Sequence, residues 1–257
     1  MQALGASLPN YAHIPMILGD DGKKISKRDG TSNILKYKDE GYLSEALLNY
    51  IVRLGWSKKD QEIFSIDEMI SEFDLKDVNK SASRINSKKL VWLNQHYLKI
   101  TNNEILADML NDFFNDMGLS ISTGPNLVDL IEIQKNRLDT LRDIAEQSIF
   151  FYKDFDGYDI KSAVKYLQFN VLEPLKILRN EFENIDNWNN KNIKKVIDKL
   201  ISELDIKISK LAQPLRVAIT GTTISPSIDD TVRLLGRKRT LERLNNAIKF
   251  IESHASS

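Results

Sequence analysis

The 257-residue sequence predicts a mainly α protein, with a small α/β region near its start followed by helical bundles. Three observations carry that expectation. Apolar residues recur at helical spacing from residue 41 onward, the connections between these stretches are short, and few alternating β-branched runs remain. Gly and turn signals concentrate instead in residues 1–40.

Taken in order, Ile14-Pro15-Met16-Ile17-Leu18 leads into Gly19-Asp20-Asp21-Gly22 and reads as a strand entering a tight turn. Leu43, Ala46, Leu47, Tyr50, Ile51 and Leu54 then form one apolar helical stripe, which Gly55 closes. Ser65 and Glu68 have the spacing of a capping box ahead of Ile66, Met69, Ile70 and Phe73. Ile105, Leu106, Met109, Leu110, Phe113, Phe114 and Met117 repeat the helical pattern and stop at Gly118. Thr140 with Asp143 is placed to cap a helix whose Leu141, Ile144, Ala145, Ser148, Ile149 and Tyr152 share a face. Phe155-Asp156-Gly157-Tyr158 reads as a linker. Beyond it, helices are punctuated at Pro174, around Trp188 and at Thr220-Gly221-Thr222. Ser225 as N-cap with Pro226 at the first helical position starts a late helix that Gly236 interrupts.

Composition narrows the function classes. No apolar run is long enough to span a bilayer, no basic segment with an apolar block marks a secretory signal, and a soluble cytoplasmic protein is the expectation. With no cysteine there is no disulfide framework and no thiolate metal site, and His13, His96 and His254 lack metal-ligand spacing. Lys+Arg and Asp+Glu balance at 36 each, so nucleic-acid binding must come from local patches rather than from a net field. Such patches exist: Lys23, Lys24, Lys27, Arg28, Lys36 and Lys38; Lys76, Lys80, Arg84, Lys88 and Lys89; and Arg233, Arg237, Lys238, Arg239 and Arg243. Taken alone, each patch is more often a solvated face. Trp56, Trp92 and Trp188 read as packing residues.

Lys24 and Lys27 stand three residues apart in a Gly-bounded turn with Ser26 between them, so both can converge on one polyanion. A transition state that spreads charge over phosphoryl oxygens needs donors of this kind, each worth about 3 kcal/mol when well placed. In isolation such a string is more often a lysine-rich surface turn. Among the arginines, Arg233 with Arg237 and Arg239 with Arg243 have i,i+4 spacing, which predicts two shared helix faces able to track phosphates.

The run HIPMILGDDGKKISKRDG, His13 to Gly30, resembles the KMSKS-type loop of class I aminoacyl-tRNA synthetases in the version found in glutamyl-tRNA synthetases. The resemblance continues through GYLSEALLNYIVRLGWS (Gly41 to Ser57), FDLKDVNKSASRINSKKLVWLNQHYL (Phe73 to Leu98), QPLRVAITGTTISPS (Gln213 to Ser227) and LLGRKRTLERLNNAI (Leu234 to Ile248). It covers nearly the whole chain, in order.

That resemblance, to the C-terminal portion of the bacterial-type enzyme, implies the following. Lys27 matches the loop lysine that stabilises the pyrophosphate leaving group, Lys24 the lysine that assists ATP binding, and Ser26 and Arg28 the remaining loop positions. Gln134-Lys135-Asn136-Arg137 resembles the region where family members read the anticodon, which makes Arg137 the first candidate for a base contact and Lys135 a neighbour to it. An arginine fork can make two hydrogen bonds to a splayed base edge, which a lysine cannot. Arg216, Arg233, Arg237 and Arg239 fall where the family places its anticodon-binding domain. Expected domains are a KMSKS-loop and stem-contact domain over 1–100, a first helical anticodon-binding subdomain over 101–156 and a C-terminal one over 157–257.

The family's HIGH-type signature and complete nucleotide-binding sheet do not occur in the sequence, which implies a portion of a longer enzyme that is inactive alone. The expected partners are tRNA for glutamate, with glutamate and ATP reaching it through the N-terminal domain that the chain lacks. ATP with Mg2+ serves the full-length enzyme, no cofactor or protein-held metal is expected on this chain, and a monomer is expected. Two other classes stand beside this one: a standalone tRNA-binding accessory protein derived from the synthetase, and a helical scaffold for protein partners.

Overall fold

The structure, a computed structural model, describes residues 3, 5, 7, 11–25, 33–58 and 60–254. Among them stand thirteen α-helices and one two-stranded parallel sheet, the mainly α fold that the periodicity predicts. The chain forms two compact units, residues 1–101 with 138–142, and residues 102–137 with 143–257. No helix among the described residues is long and apolar enough to cross a membrane.

In the first unit, β1 (Ile17–Leu18) pairs in parallel with β2 (Ser83–Arg84), in register Ile17 to Ser83. The Ser83 N–H donates to Met16 O at 3.1 Å and the Ile85 N–H to Leu18 O at 2.8 Å. The expected tight turn follows β1 at once. Gly19 donates to Lys23 O at 2.7 Å, and Gly22 takes the positive φ of +79° that closes the turn. Helices α1 (Ile34–Asp39), α2 (Ser44–Gly55), α3 (Ile66–Glu72) and α4 (Ser87–Ile100) complete this unit, with α2 packed on α4. The capping box forms as expected: Ser65 Oγ accepts from the Glu68 N–H at 3.2 Å, and the Glu68 carboxylate accepts from the Ser65 N–H at 2.7 Å.

The inward face of α2 differs from the predicted stripe. Ala46, Asn49 and Tyr50 are buried, while Ile51 is 41% exposed. An amide thus occupies a core position, and its bonds explain how. Asn49 Oδ1 accepts from the Phe64 N–H at 2.7 Å and Nδ2 donates to Glu62 O at 2.9 Å. Asn94 on α4 plays the same part: Oδ1 accepts from the Leu43 N–H at 2.8 Å and Nδ2 donates to Asp139 O. Leaving either amide unpaired would cost ~1–3 kcal/mol, so the two asparagines fix which loop segments the helix pair can accept. Segment 138–142 is drawn back onto this unit in the same way, with Leu141 N–H donating to Gly41 O at 3.0 Å.

The second unit contains α5 (Asn103–Asp116), α6 (Leu127–Gln134), the end of α7 (Leu141–Glu146), α8 (Ile160–Tyr166), α9 (Leu172–Glu183), α10 (Asn190–Glu203), α11 (Ile208–Thr220), α12 (Ile228–Leu235) and α13 (Arg237–His254). Helix α5 packs on α6, and α13 packs on both α9 and α11. Three sequence expectations are corrected here. Helix α7 starts directly after Thr140 but ends at Glu146, so the face proposed through Tyr152 is continued by a single 3-10 turn at Ile149–Phe151. The late helix is capped by Ser227, whose side chain accepts from the Asp230 N–H, two residues after the predicted cap Ser225. Ser225 is engaged elsewhere. Gly236, at φ +81°, does separate α12 from α13 as expected, and that break removes the shared helix face predicted for Arg233 and Arg237.

Gly41 generates a test of the return segment. Its φ of +82° suits glycine, and a Cβ there would stand 2.9 Å from the Leu141 backbone nitrogen. Gly41→Ala should lower the unfolding free energy by about 2–4 kcal/mol in chemical denaturation. Gly55→Ala, with nothing within 4 Å of the added carbon, should change it by less than about 1 kcal/mol. Equal effects at the two sites would contradict the close approach.

Candidate functional site

The lysine turn lies partly within the described residues. Lys24 is exposed and forms an antiparallel bridge with Leu18, so the β1 turn delivers its backbone to the surface while its ammonium faces solvent. Lys23 beside it pairs loosely with Asp21 at 3.8 Å. Ser26, Lys27 and Arg28 fall outside the described residues.

In the second unit the structure brings two of the predicted arginines together. Arg137, just beyond α6, donates through Nη1 to Gln134 Oε1 at 2.6 Å and through Nη2 to Ser225 O at 2.8 Å. Arg216, on α11, donates through Nε to Ser225 Oγ at 2.7 Å and through Nη2 to Pro226 O at 3.3 Å. Both guanidinium groups therefore grip the segment Ser225–Pro226, and all four acceptors are neutral. Lost hydration lowers the pKa of each below the ordinary arginine value, and the positive charge of Arg137 adds to the lowering at Arg216. Both stay protonated at neutral pH, because arginine begins so far above it. The result is two adjacent cations held by dipoles, a local surplus of positive charge in a chain of zero net charge.

The segment they hold is shaped by its own hydroxyls. Thr220 Oγ1 donates to Thr222 O at 3.0 Å, and Thr231 Oγ1 lies 3.0 Å from Ser225 Oγ. Gly221 ends α11 in the left-handed region at φ +77°, with the Phe155 ring 3.1 Å from where a Cβ would lie. Ile224 is left 64% exposed at the tip of this loop.

The remaining candidates are distributed differently. Lys135 caps the C-terminal end of α6 and donates to Asn103 Oδ1 at 2.7 Å. Arg233 lies 3.8 Å from Asp230 on its own helix, whereas Arg237 sits over the Trp188 ring at 5.5 Å. Trp188 itself donates to Val232 O at 3.3 Å. Trp56 is buried as expected, but Trp92 is 42% exposed, with the Lys89 ammonium over its ring at 4.1 Å.

Arg239 and Arg243 do share a face of α13, and that face is turned to protein. Arg243 is 4% exposed; it donates to Ile219 O at 2.6 Å, Phe150 O at 2.8 Å and the Asp154 carboxylate at 2.7 Å. Arg239 donates to Phe151 O and lies 3.5 Å from Asp154. This pair anchors residues 150–154, a structural task that the i,i+4 spacing did not distinguish from phosphate tracking. Sequence reasoning also passed over the role of Gln134, which is fully buried. Its signal was present, a polar residue at i+7 of the apolar stripe Leu127, Leu130, Ile131. Among the described residues, no three His, Asp or Glu side chains gather as a metal site would need.

Residues 105–248 match the family described as anticodon binding domain, and residues 1–92 match the family described as tRNA synthetases class I (E and Q), catalytic domain. Glutamate–tRNA ligase 2 of Coxiella burnetii strain Dugway 5J108-111 and glutamate–tRNA ligase 1 of strain RSA 493 / Nine Mile phase I are each 45% identical to the chain over 251 residues, 98% of its length and 54% of theirs. A crystal structure of a glutamate tRNA ligase from Elizabethkingia meningosepticum, in complex with its amino acid, superposes with a TM-score of 0.84 at 30% identity. It is covered to 53% by 97% of this chain. Glutamate-tRNA synthetase from Elizabethkingia anophelis gives a TM-score of 0.79 at 29% identity, over 96% of this chain and 52% of its own. The chain thus spans about half the length of the relatives it matches.

The Arg243 anchor has consequences for stability. Arg243→Met leaves the carbonyls of Phe150 and Ile219 without their donor and should cost about 3 kcal/mol in chemical denaturation. The hydrogen bond from Arg243 holds the Asp154 carboxyl below its ordinary pKa. A depressed carboxylate contributes stability that is complete above its unfolded pKa of about 4 and is lost as pH falls through the folded value. The contribution is modest because the Asp154 side chain is 74% exposed. Asp154→Asn should therefore flatten part of the decline in unfolding free energy below about pH 4; an unaltered acid slope would contradict the assignment.

Proposed function

Because the chain belongs to the anticodon-binding-domain family and is homologous along 98% of its length to glutamate–tRNA ligases, we propose that it is the C-terminal, tRNA-contacting portion of such an enzyme. The parent reaction joins glutamate to its tRNA through an ATP-derived glutamyl-adenylate. In the proposed division of labour, residues 1–100 carry the lysine loop and contact the tRNA stem, and residues 101–156 and 157–257 form two helical anticodon-binding subdomains. The chain acts as a monomer in the cytoplasm.

The observation that carries this reading is the pair Arg137 and Arg216 on Ser225–Pro226, inside the stretch that matches the anticodon-binding family. An RNA loop offers phosphates and unstacked base edges, and both are acceptors for guanidinium donors. Arg137 is assigned to a base edge, where planar donors discriminate, with Arg216 behind it. Arg233, Arg237 over the Trp188 ring, and Lys135 are assigned to the phosphate backbone. Arg239 contributes to the same field only in so far as its ion pair with Asp154 leaves it charge to spare.

At the other site, ATP phosphates are assigned to Lys24 and Lys27 with Ser26 and Arg28. Lys24 fits that task as an exposed ammonium at the end of a Gly-closed turn. The Mg2+ that accompanies ATP is assigned to the nucleotide's own phosphates, a common mode for an ion that keeps several waters. Lys27 would place its positive charge where the pyrophosphate leaves, and need neither donate nor accept a proton in doing so. The described residues contain only a two-stranded sheet, so the surfaces that hold glutamate and the adenine base are assigned to the part of the parent not represented in this chain.

Two measurements test the reading. The chain should bind tRNA for glutamate more tightly than the same tRNA with an altered anticodon, with affinity falling as salt rises. Arg137→Lys should remove about tenfold of that preference. Equal affinity for both tRNAs would defeat the base assignment. The chain alone should catalyse no glutamate-dependent ATP–pyrophosphate exchange, and a measurable rate would contradict the division of labour.

A further inference from the structure

We propose that Gln134 is a positioning residue for anticodon-base recognition, acting through Arg137 and resting on the base-reading role assigned to Arg137 above. Gln134 closes the buried stripe of α6, after Leu127, Leu130 and Ile131, and is itself fully buried. Packing does not call for an amide at this place, since a leucine would fill it without a polar group to satisfy. The amide is nevertheless satisfied at both ends. Nε2 donates to Ser148 Oγ at 3.1 Å, and Oε1 accepts from Arg137 Nη1 at 2.6 Å. The orientation of the amide is forced, because a guanidinium can only donate and must therefore meet the oxygen.

Anchored on buried Ser148, the Gln134 oxygen fixes one corner of the Arg137 guanidinium. Ser225 O fixes a second corner at 2.8 Å. Ser225 is in turn braced by Arg216 Nε at 2.7 Å and Thr231 Oγ1 at 3.0 Å. Two bonds to different nitrogens set the plane of the group, and its remaining N–H donors then point in a defined direction. Reading a base edge needs that definition, because a fork that can rotate loses angular selectivity before it loses attraction. Gln134 thus touches no RNA and acts on selectivity alone.

The test is the dissociation constant of the chain for tRNA for glutamate and for three variants, each altered at one anticodon base. Gln134→Leu should reduce the largest preference about tenfold, the loss of roughly one bidentate contact. Affinity for the disfavoured variant should stay within about twofold of wild type. Gln134→Glu keeps an oxygen for Arg137 and should restore most of the preference. A uniform weakening toward all four tRNAs in Gln134→Leu would show a purely structural role and overturn the proposal. An unchanged preference in Gln134→Leu, alongside its loss in Arg137→Lys, would also overturn it while leaving Arg137 as reader. An unchanged preference in Arg137→Lys would instead remove the reading on which the proposal rests. Should Gln134→Leu not fold, Ser148→Ala replaces it, with a reduced preference expected and an unchanged one counting against the proposal.

Discussion

A guanidinium group cannot accept a hydrogen bond and does not shed its proton near neutral pH, so its charge must be met by acceptors wherever it sits. The second unit answers this requirement in two ways. Arg243 is buried and fully committed, with backbone carbonyls and the Asp154 carboxylate around it. Arg137 and Arg216 are held by neutral oxygens alone, so their positions are fixed while their charge is not neutralised. The first arrangement stabilises the fold, and the second leaves a local surplus of positive charge. Both depend on helices bringing residues far apart in sequence to one short segment, as Arg137 and Ser225 show.

Buried amides do comparable work in each unit. Asn49 and Asn94 tie the α2–α4 pair to the segments around Glu62 and Asp139, and thereby shape the unit that bears the lysine turn. Gln134 ties α6 to Ser148 on one side and Arg137 on the other. A buried amide is costly unless every partner is in place, so each of these side chains selects one local arrangement over its neighbours. The fold is specified by such polar contacts as much as by its apolar stripes.

Much of this was legible in the sequence. Helical spacing, the Ser65–Glu68 box and the stop at Gly236 all correspond to elements of the structure, because each depends on residues within a few positions of one another. Features that depend on distant partners were not legible. Ile51 belongs to the apolar stripe by spacing, yet Asn49 takes the inward place because Glu62 and Phe64 offer it bonds. Arg239 and Arg243 have the spacing of a phosphate-tracking pair, but their bonds to residues 150–154, far away in sequence, could not be read from that spacing. Ser225 resembled a helix cap from its neighbour Pro226, but two arginines claim it, and Ser227 caps α12 instead. The turn at Gly19–Gly22 was legible from its glycines, and Lys24 stands exposed just beyond it.

Residues 105–248 match the anticodon-binding-domain family, and within that stretch two arginines are held beside one loop by neutral dipoles, the pair on which the proposed tRNA contact rests. The most direct test is a nuclease and chemical footprint of tRNA for glutamate bound to the chain, read nucleotide by nucleotide. The account requires protection across the anticodon loop, reaching the Watson–Crick edges of its bases. Protection confined to the acceptor stem, with the anticodon bases as reactive as in free tRNA, would contradict it.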